Sequence, residues 1–147
     1  MLKQLLPLGR IYNPALKSTK MQEIEFILYV EDQEKSKSFY ELLLLSEPAL
    51  HVPGMTEFKL AESVKLGLMP EKGMAKILGD QLPSPVLGNG IPRCELYLKV
   101  DDPQAYLDRG ILNGGLEISK VIDRDWGDSV GYMADLDGHV LAFAKSM

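Results

Sequence analysis

Two stretches of the chain alternate apolar and polar residues in the same way. Residues 25–32 read EFILYVED and residues 95–102 read ELYLKVDD, so Glu25 matches Glu95, Leu28 matches Leu98 and Val30 matches Val100. Strict alternation of β-forming residues predicts a strand in each place. Each strand runs into a helical pattern. Asp32 is the expected N-cap of a helix carrying Phe39, Leu42 and Leu43 at i, i+3 and i+4. Asp102 caps the other, with Pro103 at the favoured first position and Gly114-Gly115 as its stop. Shorter β-like runs follow each helix: about 49–52, Glu57–Leu60 and Val64–Met69 in the first half, then Leu116–Val121, Val130–Ala134 and Val140–Ala144 in the second. The pattern is βαβββ, twice, which makes an α+β fold of two modules. Module one is 21–70 and module two is 93–147. Between them, 71–92 gathers prolines and glycines after residue 80 and reads as a linker. Residues 1–20 show no sustained period and read as an N-terminal arm, with a mobile tail favoured over one docked on a partner.

Composition narrows the class. A chain of 147 residues, 46% hydrophobic and 25% charged, suits one domain at 21–147 with a core that needs no staples. A net charge of −5 argues against nucleic acid as partner. No apolar run reaches membrane-spanning length. The opening residues carry no small-residue cleavage site, so a cytoplasmic location is expected. The one cysteine, Cys94, precludes an internal disulfide and a cysteine-based zinc site, and is expected as a buried, inert thiol.

The segments FILYVED with SKSFYELLL, VKLGLMP, ELYLKVDD and DWGDSVGYMADLDGHVLAFA resemble, in order, the vicinal oxygen chelate superfamily over about residues 22–145. That superfamily includes glyoxalase I, bleomycin-resistance proteins and extradiol dioxygenases. The resemblance implies that the two modules form a curled, barrel-like mixed sheet around a central cleft. It also implies four metal-ligand slots, one on the first and one on the last strand of each module. Residue by residue these slots fall on Glu25, Gly67, Glu95 and Ala142. Two of the four have no donor atom, and a catalytic transition metal normally takes three or more protein ligands. No such metal is therefore expected, although two carboxylates could hold a divalent cation weakly. His139 lies three residues from the Ala142 slot, so alternation turns it to the other face, and it reads as a turn histidine. His51 reads as structural or solvated.

Alternation with the family pattern puts Glu25, Ile27 and Tyr29, and Arg93, Glu95, Tyr97 and Lys99, on the cleft side, joined by Gly67, Met69, Val140, Ala142 and Ala144. The expected ligand-binding set is Glu25, Tyr29, Glu95, Tyr97 and Trp126, with Glu25 and Glu95 the candidates for any catalysis. Neighbouring glutamates would need a shared proton, a cation or a basic group between them. The expected function is binding of a small organic molecule in an acidic cleft. The alternative is a glyoxalase-like lyase or isomerase, using a divalent metal or a glutamate as general base. A homodimer is expected, because curled sheets leave edges to cover.

Overall fold

The structure, a computed structural model, describes residues 4–6, 10–12 and 20–147. The expected arm falls mostly outside the described residues. Its described part is an antiparallel pair, β1 (Gln4–Leu6) and β2 (Arg10–Tyr12).

Module one runs β3 (Ile24–Val30), α1 (Gln33–Leu44), β4 (Leu50–Val52), β5 (Met55–Ala61) and β6 (Val64–Pro70). Module two begins after α2 (Glu71–Leu78) and runs β7 (Glu95–Lys99), α3 (Pro103–Leu112), β8 (Leu116–Asp123), β9 (Asp128–Ala134) and β10 (Val140–Ser146). The sheets have the same topology. Their orders are β3-β6-β5-β4 and β7-β10-β9-β8, and in each the first strand is parallel to the last while the others are antiparallel. Both helices start as their sequences predict. The carboxylate of Asp32 accepts from the Lys35 amide at 3.0 Å, and that of Asp102 from the Ala105 amide at 3.1 Å. The linker is more ordered than its prolines suggest, since α2 and a 3-10 turn (Pro85–Gly88) lie within it.

Alternation sends Leu28 and Val30, Phe58, Leu66 and Leu68 from the first sheet toward Phe39, Tyr40 and Leu43 of α1. Leu96, Met133, Leu141 and Phe143 do the same from the second sheet, around Leu107 of α3. These residues form one core shared by the modules. Burying each such side chain stabilises by about 1.5–3 kcal/mol. The helices meet directly, and Arg109 Nε donates to the Leu43 carbonyl at 3.1 Å. Gly110 permits that approach, because a Cβ there would collide with Met133 and press on Leu43 Cδ1 at 3.3 Å.

The α+β class and the doubled module match expectation, and the two four-stranded mixed sheets form no closed barrel among the described residues. Among the described residues no strand of one sheet pairs with a strand of the other. The modules join through α1 and α3, which leaves β3 and β7 as open sheet edges. Polar bonds reinforce the junction. Tyr40 donates to Asp135 at 2.6 Å, the Glu31 amide to Asp137 at 2.9 Å and Ser36 to Asp137 at 3.3 Å. Among the described residues no helix is long and apolar enough to cross a membrane.

Candidate functional site

On the face of the first sheet away from the helices, register fixes the neighbours. Glu25 pairs with Lys65 on β6, and Gly67 lies between Ile27 on β3 and Glu57 on β5. The Glu25 side chain lies over Gly67. A Cβ on that glycine would sit 2.6 Å from Glu25 Oε1, 3.1 Å from Ile27 Cγ1 and 3.3 Å from Met55 Sδ. The empty ligand slot is thus the hollow that receives the glutamate. Glu25 Oε1 is buried there without a hydrogen-bond partner. Burial pushes the Glu25 carboxyl above its ordinary pKa, and the neighbouring Glu57 carboxyl pushes it further. Lys65 opposes this but is engaged by Glu23 at 3.1 Å. A carboxyl pair of this kind holds one proton readily and accommodates a cation or donor in its place.

Glu57 is the residue that sequence reasoning missed. Its signal was available: alternation along MTEFKLA puts Met55, Glu57 and Lys59 on one face, and the turn at Glu62-Ser63 sets Glu57 opposite Gly67.

The second module treats its slot differently. Ala142 is fully buried with Val130 and Ala144, and Tyr97 and Tyr132 pack against them. Ala142 and Ala144 therefore do not line an open groove, as expected from alternation; neighbouring aromatic rings close over them. Tyr97 donates to Asp128 at 2.6 Å and accepts from Trp126 Nε1 at 2.9 Å. Lys99 bonds Asp128 at 2.7 Å, which with Tyr97 holds that carboxyl below the usual range. Arg124 stacks on Tyr132 with 5.2 Å from its Cζ to the ring centroid. Tyr97 and Trp126 are thus brought together, and Trp126 stays exposed. Glu95 is exposed at the start of β7, beside the cavity between the modules that Phe26 also lines. Phe26 is on the side of β3 opposite Glu25, and the charges acting on Glu25 come from its own sheet and its leading residues. Tyr29 lines a separate cavity of about 310 Å³ with Ile27, Glu71, Arg93, Cys94 and His139. Cys94 is exposed, not buried: it lies just before β7, at the rim of that cavity.

His51 is structural, bonded to Thr56 and Glu34 at 2.8 Å each. Asp135, Asp137 and His139 bring ligand-type atoms within 4.8 Å of one another. Protein donors already occupy them. Asp135 Oδ1 accepts from the amides of Asp137 and His139, and Oδ2 accepts from Tyr40 and faces His139 Nδ1 at 2.9 Å. Asp137 accepts from Glu31 and Ser36. The cluster is a turn staple. The four slots implied by the resemblance do not fit a catalytic transition metal either: Gly67 and Ala142 have no donor, and Ala142 is covered.

No protein-family model matches the chain, and no curated protein matches it. Solved structures do. A glyoxalase-related enzyme from Fulvimarina pelagi superposes with a TM-score of 0.73 at 20% identity, over 86% of this chain and 89% of that one. A glyoxalase/bleomycin resistance protein/dioxygenase from Nocardioides gives 0.69 at 18% identity, over 90% and 87%. A glyoxalase/bleomycin resistance protein from Albidiferax ferrireducens gives 0.62 at 18%, over 86% and 98%. With its doubled βαβββ module, the chain has the fold of these glyoxalase/bleomycin resistance/dioxygenase structures.

Proposed function

We propose that this protein binds a small organic molecule bearing a cationic or hydrogen-bond-donating group on the acidic face of module one, in the cytoplasm and without a resident transition metal. The observation that carries the reading is Glu25 Oε1, buried over Gly67 with no donor and with Glu57 beside it. A ligand donor would supply the missing bond and relieve the like-charge pair. Tyr29 follows further along the same strand, in the separate cavity it lines with Ile27. The proposal includes a homodimer joined along the open edges of β3 and β7, which would bring the face bearing Glu95, Tyr97 and Trp126 toward Glu25. Unpaired edges of this kind are otherwise a liability.

The test is a thermal-shift screen of cationic, neutral and anionic aromatic compounds against wild type, Glu25→Gln and the Glu25→Gln/Glu95→Gln double variant. Basic compounds should raise the wild-type melting temperature most and lose that effect in the variants. Mainly anionic hits, or basic hits unchanged in the variants, would refute the site.

The raised proton affinity of Glu25 favours one second reading, a lyase or isomerase using this carboxyl as general acid and base. Isomerisation of the methylglyoxal–glutathione adduct that survives a chelator and disappears in Glu25→Gln would establish it.

A further inference from the structure

A second cavity lies on the opposite side of β3, where the shared core opens between the modules. It measures about 900 Å³, at the upper end of the range for small-molecule pockets. Its apolar wall includes Phe26, Leu44 and Leu60 from module one and Leu98 and Tyr106 from module two. Phe26 is 47% exposed although it is on the core side of its strand, so the wall is unfilled. One polar group in it is held ready. Arg109 is fixed by its Nε bond to the Leu43 carbonyl, and its guanidinium carbon lies 4.4 Å from the centre of the Tyr106 ring. Among the described residues, its terminal nitrogens have no hydrogen-bond or ion-pair partner.

Two of the four other charges at this cavity are committed. Lys99 is bound to Asp128, and Asp102 caps α3. Glu95 and Asp101 are exposed. A guanidinium tethered at one nitrogen and stacked on a ring presents a flat pair of donors, which matches a carboxylate. We propose that this cavity binds an organic carboxylate with an aryl or alkyl body, its carboxylate on Arg109 and its body against Phe26, Leu60 and Leu98. This site is separate from the acidic face, has the opposite charge preference and does not depend on Glu25.

The experiment is isothermal titration calorimetry of the whole protein with phenylbutyrate and dodecanoate, each beside its matching alcohol and amine. The acids should bind at one per chain and tighter than the alcohols and amines. Arg109→Gln should weaken the acids by roughly tenfold or more and leave the alcohols unchanged. Arg109→Lys should recover part of the loss. Ala105→Leu adds bulk to the cavity wall and keeps the Arg109 charge, and should weaken acids and alcohols alike. Glu25→Gln should change none of these, which keeps this proposal distinct from the acidic-face reading. Circular dichroism melts establish that each variant is folded. No acid binding at millimolar concentration, amines binding tighter than acids, or equal affinity in Arg109→Gln would overturn the proposal. So would a wild-type dimer by light scattering that Ala105→Leu dissociates, because a second copy would then occupy the cavity.

Discussion

Removing one hydroxyl at the junction tests whether the modules are stapled as described. Tyr40 is 1% exposed, and its hydroxyl donates at 2.6 Å to Asp135, which lies 95 residues away in the other module. Tyr40→Phe keeps the ring and its contacts with Phe39 and Phe58, so no cavity opens. A hydrogen bond to a charged group contributes about 1.5–3 kcal/mol. Asp135 Oδ2 keeps His139 as a second partner, which puts the expected loss near the lower end, about 1.5–2 kcal/mol. Urea unfolding should show that loss as a lower midpoint at unchanged slope. The acid limb should also move. Burial raises the Asp135 pKa, but its bonds with His139 and Tyr40 outweigh this and hold it below the usual value. A depressed carboxyl gives stability above its unfolded pKa that is lost as pH falls through the folded one. Without Tyr40 the folded pKa rises, so acid unfolding should begin at higher pH. In the Tyr40→Phe background, Asp135→Asn should cost less than it does in wild type. A loss under about 0.5 kcal/mol, or an unmoved acid limb, would refute the staple.

Three further outcomes follow from other positions. Burial lowers the His139 pKa but pairing with Asp135 more than offsets it, so the net shift is upward. Its stabilisation is full below the unfolded value of 6.5 and lost as pH rises through the folded one, and His139→Gln should flatten that alkaline-side decline in thermal melts. Gly67→Ala would put a methyl 2.6 Å from Glu25 Oε1, so NMR titration should show the Glu25 pKa falling back toward normal as the carboxyl is displaced into water. Ala142→His should cost about 1–3 kcal/mol by overpacking and recruit no zinc, because the slot is filled by Tyr97 and Tyr132; stoichiometric zinc by elemental analysis would contradict this.

The elements themselves were legible because each is a local pattern. Alternation found β3 and β7, periodicity found α1, and Asp32 and Asp102 marked both helix starts. Relations between elements were less so. The placement of Glu57 beside Glu25 depends on the pairing of three strands, and one residue of slip would turn Glu57 to the core face. The relation between the modules depends on how α1 meets α3, which Gly110 allows but no local pattern announces. The linker hid α2 because proline and glycine after residue 80 dominated its composition, although the helix ends just before them at Leu78. Covering of Ala142 by Tyr97 and Tyr132 is a matter of side-chain reach, beyond what inward or outward alternation can tell.

The tie between α1 and the Asp135–Asp137 turn also bears on the order in which the protein can be completed. Glu31, Ser36 and Tyr40 emerge 106, 101 and 95 residues before their partners in the Asp135–Asp137 turn. Module one, when it leaves the ribosome, can form its sheet but must leave that side of its helix, with Tyr40 and Leu43, uncovered until module two has been made. Such long-range closure slows folding and exposes apolar surface in the interval. A chain cut short before residue 135 would therefore lose more than its final strand: its first module would be left permanently unfinished and prone to self-association.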